Sequence, residues 1–154
     1  MGNTKKIQEI LMNAIFEVFE RMFFVFFEPL DEDVKYDMIS SINFTGPIKG
    51  EIKIYFAIGL AETMVQNMLS LNRKEVTEKM IEDCAKEAVN MISGNFLQKL
   101  DSSKVFDLSI PIFSKKPGVF TFQVQHQSEA IWNLSFESEG NLMAVSVSIL
   151  AEGQ

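Results

Sequence analysis

Apolar residues at Ile7, Ile10, Leu11, Ala14, Ile15, Val18, Phe19 and Met22 recur at spacings of three and four, the period of one broad helical face. Asn3 or Thr4 is placed to cap this first helix, where a short polar side chain meets an orphan amide. The run that follows, with Phe23, Phe24, Phe26 and Phe27, reads as burial against a sheet, since aromatics are routine core residues. Pro29 disfavours a helical Glu28, and the polar stretch 28–35 reads as a loop. The pattern then turns to period two. Residues 38–44 alternate imperfectly, while Ile52, Ile54, Phe56 and Ile58 alternate cleanly with Glu51, Lys53, Tyr55 and Ala57. Gly46, Pro47 and Gly50 between them supply a turn, so the pair forms a hairpin.

Residues 60–71 return to a helical pattern, with Leu60, Met64, Met68 and Leu71 on one side. After a polar break a long helix spans 77–100, with Thr77 as N-cap and Glu78 near the positive end of the helix dipole. The last third alternates again. Phe106, Leu108, Ile110 and Ile112 define one strand, Phe120, Phe122 and Val124 a second. Ala130, Trp132, Leu134 and Phe136 define a third; after a turn at Glu139, Gly140 and Asn141 come Met143, Val145, Val147 and Ile149. Helix, two strands, two helices, four strands is an α+β order. It predicts a mainly antiparallel sheet of about six strands packed with about three helices.

Composition narrows the function. The 154 residues, 47% hydrophobic and 23% charged, suit one folded domain spanning 1–154. A net charge of −7 with no basic stripe argues against a nucleic-acid partner. One cysteine, Cys84, and one histidine, His126, form no disulfide and are too few for a structural zinc site; a site built from carboxylates alone stays open on composition. Glu9, Glu17 and Glu20 stand where a signal peptide needs an uncharged core. The most apolar run, 22–27, is far shorter than the ~20 residues that span a bilayer. The expectation is a cytoplasmic protein with no membrane insertion.

The long helix carries the candidate chemistry. At 100° per residue, Asp83, Glu87, Asn90 and Gly94 fall within a sector of roughly 60°, and Ile81, Ala85, Ala88, Ile92 and Phe96 lie opposite. A polar stripe by itself is ordinary. Asn, however, is a poor helix former, and an interior Gly costs about 1 kcal/mol relative to Ala. An exposed face under no functional demand more often carries Lys, Glu or Gln. Gly94 also clears space beside Asn90 for another protein's backbone.

Asp83-x-x-x-Glu87-x-x-Asn90, followed by Met91, Ile92, Gly94 and Asn95, with Pro111 further on, resembles the signature of the CheC/CheX/FliY phosphatase family. That family shows Asp or Ser, then Glu, then Asn at this spacing, and a later strand proline. The hairpin glycines and the amphipathic first helix also look like it. CheC-type members carry a second Glu-Asn pair. Here neither Glu9 with Asn13 nor Glu62 with Asn67 has the required spacing, so the resemblance is to the single-site CheX type. It implies a phosphatase acting on the aspartyl phosphate of a CheY-like receiver. Asn90 would position the attacking water and Glu87 would dock to the receiver lysine, with Asp83 and Gly94 as partner-binding positions. It implies no metal site and no cofactor of its own, since the receiver supplies Mg2+, and a homodimer. The rival readings are a receiver-binding or flagellar-switch-like module without catalysis, and an unrelated oligomerisation domain. Cys84 reads as a packing residue, His126 as incidental, and Gln123, Gln125 and Gln127 as a solvated strand face.

Overall fold

Strands are numbered in chain order. In the computed structural model, which describes residues 2–122 and 131–150, the centre of the sheet joins distant parts of the chain. Strand β4 (Lys49–Phe56) pairs on one side with β3 (Met38–Thr45) and on the other with β9 (Asn141–Leu150). Outside β9 lie β8 (Ile131–Ser138) and then the edge strand β1 (Glu28–Leu30). Outside β3 lie two short pieces, β5 (Asp107–Leu108) and β6 (Ile112–Ser114). The result is a seven-stranded antiparallel sheet.

Period two sorts the faces. Ile42, Ile52, Val147 and Trp132 run across adjacent strands in register, as do Ile54 and Val145, and Phe56, Met143 and Phe136; all are buried. This face is covered by α1 (Gly2–Phe23), α2 (Ile58–Leu69) and α3 (Glu78–Leu100). The two layers share one continuous core that includes Leu11, Ile15, Phe19, Met64, Ala88 and Phe96. Part of the opposite face carries a two-stranded ribbon, β2 (Val34–Tyr36) with β7 (Gly118–Phe120). Val34 and Phe120 pack there over Ala144 and Tyr55, and the Tyr55 ring lies 4.9 Å from Tyr36 and 5.2 Å from Phe120. The fold is thus α+β, with three helices and a mainly antiparallel sheet.

Several expectations are corrected. The first helix already includes Gly2, so Asn3 and Thr4 lie within its first turn, not before it. Residues 28–35 are not all loop: β1 and β2 occupy parts of them. Three-residue strands are too short to display a period, and Pro29 is tolerated because β1 is an edge strand. Ile58 starts α2 and does not continue β4. Gly50 lies in β4, not in the turn, and a Cβ there would stand 2.2 Å from the Ser148 carbonyl oxygen and 2.5 Å from the Phe44 ring.

In the Phe-rich run only Phe23, Val25 and Phe27 are buried, whereas Phe24 and Phe26 are 62% and 63% exposed. The turn at Glu139 and Gly140 holds, with φ of 50° and 84°, both positive as a tight two-residue hairpin turn requires. Val124, Gln123, Gln125, His126, Gln127 and Ala130 lie outside the described residues.

The strand expected at Phe106, Leu108, Ile110 and Ile112 is interrupted. Phe44 and Ser40 are four residues apart on β3, but their partners Leu108 and Phe113 are five apart. The extra residue is a bulge, which bends the strand and reverses its face. Leu108 and Phe113 therefore pack on the core, while Ile110 and Ile112 are exposed. Ser109 pins the bulge: its Oγ accepts from the Asn43 amide at 2.9 Å, and its own amide donates to the Asn43 carbonyl at 2.9 Å.

Candidate active site on helix α3

Helix α3 begins where the sequence places it. The Thr77 Oγ1 accepts a hydrogen bond from the Met80 amide at 3.2 Å. Ahead of it, Asn72 and Glu75 form a capping box around a single 3-10 turn at Arg73–Glu75. The helix is anchored along one seam by Ile81, Cys84, Ala85, Ala88, Val89, Ile92, Ser93, Phe96 and Leu97, all buried, and it packs on α1, α2, β3 and β6. The small Ala85 and Ala88 permit close approach to the sheet.

Asp83, Glu87, Asn90 and Gly94 all lie on the exposed face. Asp83 is held by Lys79, whose Nζ donates to Oδ1 at 2.9 Å, so its carboxylate is already engaged within the helix. That pairing raises the Lys79 pKa. Among the described residues, Glu87 and Asn90 make no hydrogen bond or ion pair. Their free polar groups stand three positions apart on a rigid, well-anchored element, where both can meet the same partner. A Cβ at Gly94 would touch nothing within 4 Å, so this end of the stripe is open.

The residues around the stripe have structural duties. Asn95 is half-buried and faces α1, where Glu17 receives Lys99 at 2.5 Å and Arg21 at 3.0 Å. The Lys99 ammonium, and after it the nearby Asn95 amide, holds the Glu17 carboxyl below its ordinary range. Glu78 pairs with Lys115 at 2.5 Å, tying the segment after β6 to the start of α3. Cys84 is buried, and desolvation with the nearby Glu87 charge pushes its thiol up to about 12; it is a packing residue, not a nucleophile. Pro111 falls in the bulge before β6, the strand against which α3 packs.

Two neighbours of the stripe were not singled out for their surface roles by sequence reasoning. Met91 is 41% exposed beside Asn90. Lys104 lines a cavity of about 180 Å³ with Gly94, Leu97, Gln98, Phe106 and Leu108. No local sequence signal marks Lys104, which reaches Gly94 only through the fold.

Glu62 and Asn67, one of the pairs set aside as a second site, are each engaged elsewhere. Glu62 bonds Arg73 at 3.4 Å, and the Asn67 side-chain amide donates to the Phe23 carbonyl at 2.9 Å, fastening α2 to the end of α1. Among the described residues there is no cluster of three or more His, Cys, Asp or Glu side chains that could hold a metal. No helix among them is long and apolar enough to cross a membrane.

A three-helix layer on an antiparallel sheet thus presents, on its longest helix, an exposed Glu-x-x-Asn pair that is unpaired among the described residues. The sequence matches the family described as chemotaxis phosphatase CheX over residues 38–134, and the chain belongs to that family. No curated protein matches it.

Among solved structures, the chemotaxis protein CheX of Vibrio vulnificus is similar at 22% identity and a TM-score of 0.76, covering 94% of this chain and 99% of that one. A CheX–CheY–BeF3–Mg2+ complex from Borrelia burgdorferi is similar at 18% identity and a TM-score of 0.70, covering 93% and 97%. FliY of Thermotoga maritima is similar at 14% identity and a TM-score of 0.60, covering 94% and 89%. At these identities the structures speak for the fold.

Proposed function

We propose that this protein hydrolyses the aspartyl phosphate of a CheY-like receiver domain, with Asn90 positioning the attacking water and Glu87 docking to the receiver lysine. The observation that carries the reading is the pairing of two exposed, unpartnered side chains, Glu87 and Asn90, on an otherwise anchored helix of a chain in the chemotaxis phosphatase family. A structure of another family member in complex with CheY, BeF3 and Mg2+ supports a receiver as the partner.

The chemistry asks little of the protein beyond placement. Water oxygen bonds to phosphorus, the bond from phosphorus to the receiver's carboxylate oxygen breaks, and the water's proton ends on the released phosphate or in solvent. An amide cannot take that proton, but it can hold the water in line, and orientation is the main contribution in phosphoryl transfer. Glu87 fixes the depth to which the helix enters by charge pairing. Mg2+ neutralises the phosphoryl oxygens and belongs to the receiver, so the protein needs no cofactor of its own. Asp83, already paired with Lys79, serves at the margin of the footprint, and Gly94 leaves room for the receiver's backbone.

The site of action is the cytoplasm, where receivers act. The working form is a homodimer, a reading supported by the exposed Ile110 and Ile112 at the β5–β6 edge. The rival reading, a non-catalytic receiver-binding or switch-like module, draws on the likeness to FliY. Phosphate release from a phosphorylated receiver separates the two. Acceleration that depends on Asn90 supports the phosphatase, and binding without acceleration supports the module.

A further inference from the structure

A second surface, outside helix α3, carries features that phosphatase chemistry does not use. A cavity of about 290 Å³ opens where the segment after α1, the helix α2 and the β8–β9 hairpin meet, and Phe24, Phe26, Glu28, Asn67, Glu137 and Glu139 contribute to its lining. Phe24 has a φ of 53°, a left-handed conformation uncommon for a bulky residue, at the end of α1 where the Val25 amide turns back to the Phe19 carbonyl at 3.0 Å. This conformation projects Phe24 to solvent while Phe23 and Val25 on either side are buried. Two phenylalanines more than 60% exposed on one cavity form an apolar patch of the kind that marks interaction sites.

The same cavity is acidic in an unusual way. Glu28 and Glu137 face each other directly across the β1–β8 pairing, and like charges in that position are destabilising. No lysine or arginine among the described residues pairs with Glu28, Glu137 or Glu139. Among the described residues, relief comes from a 3.3 Å hydrogen bond from the Gly140 amide to Glu137 Oε2.

We propose that this cavity docks a basic peptide segment of another protein. One Arg or Lys side chain enters between Glu28 and Glu137, and the residue beside it lies against Phe24 and Phe26. A cation there relieves the opposed carboxylates, and a guanidinium also stacks favourably on an aromatic face. Charge selects this occupant over a lipid surface, because the carboxylates repel anionic headgroups.

The test uses the full chain and two fluorescein-labelled probes, acetyl-Gly-Leu-Arg-Leu-Arg-Gly-amide and its counterpart with glutamates replacing the arginines. At low salt the basic probe binds at least about tenfold tighter than the acidic one, a gap that narrows as salt screens the charges. The double variant Glu28→Gln with Glu137→Gln, and separately Phe26→Ser, each weaken basic-probe binding about tenfold. Asn90→Ala leaves it unchanged, which separates this surface from the α3 site. Free of probe, Glu28→Gln melts at or above the wild-type temperature because the repulsion is gone. Equal binding of the two probes, wild-type affinity in the glutamine double variant, a lower melting temperature for Glu28→Gln, or preferential capture by phosphatidylglycerol vesicles each overturns the proposal.

Discussion

Asn90 and Asn95 stand on the same helix and do different work. Asn95 is half-buried beside Glu17 of α1; Asn90 is exposed and among the described residues has no partner. Replacing Asn90 by Ala therefore leaves the melting curve within the small range typical of surface changes, yet hydrolysis falls on the order of a hundredfold, the scale of lost orientation, while receiver binding persists. Glu87→Ala weakens binding as well, and its defect recovers partly at high receiver concentration. Phosphate release and affinity measured on both variants check this; full activity in Asn90→Ala removes the mechanism. Cys84 gives a further residue-level outcome: with its thiol pushed up to about 12, it stays unmodified by iodoacetamide at neutral pH in the folded protein. The exposure of Asp83, Glu87, Asn90 and Gly94 was legible in the sequence because helical period alone sorts inside from outside. The placement of Asn95 beside Glu17 was not, since Glu17 lies on another helix and no local pattern records the approach.

Among elements, the two glycines Gly94 and Gly50 have opposite tolerances. Gly94→Ala adds a Cβ that meets nothing within 4 Å, so the gain in helix propensity raises stability by about 1 kcal/mol; Gly94→Leu keeps the fold but weakens receiver binding. Gly50→Ala forces a Cβ onto a neighbouring strand's carbonyl oxygen, which cannot move away without breaking sheet pairing, and costs about 1–3 kcal/mol. Urea denaturation of the two variants shows shifts of opposite sign.

The contact between α1 and α3 is pH-sensitive. The Glu17 carboxyl is held below its ordinary value of 4.5 by Lys99 and then Asn95, so its contribution is present above that value and disappears as pH falls through the lower folded-state pKa. Glu17→Gln is accordingly less stable than wild type at pH 7, and the gap closes in acid. Long elements were readable because many residues repeat one period. The short strands β1, β2, β5, β6 and β7 were not, and the bulge after Leu108 hid the change of face by adding one residue inside an apparently regular alternation.

At the scale of the molecule, the exposed Ile110 and Ile112 and the proposed homodimer make a direct expectation. Light scattering at micromolar concentration gives twice the 17.5 kDa chain mass, and a charged residue at Ile112 reduces that mass without unfolding the protein. Assembly and catalysis are then separable, since α3 presents its stripe from within one chain.

The pairing of β4 with β9 also sets a timetable. β4 is made early in synthesis and β9 is the last of the described strands, so the partner of Ile52, Ile54 and Phe56 on that side emerges long after they do. Until then the middle of the sheet is an open edge, a template for wrong pairing, and closing it demands contacts between remote parts of the chain, which slows folding. The helices, whose backbone hydrogen bonds are local, are expected to form before that pairing closes. In refolding, helical circular dichroism should rise ahead of the burial of Trp132, the single tryptophan, which sits on β8 and is shielded only once the last strands have joined. A ribosome-bound chain lacking β9 would carry an intact Glu87 and Asn90 on a helix with an unfinished floor beneath it.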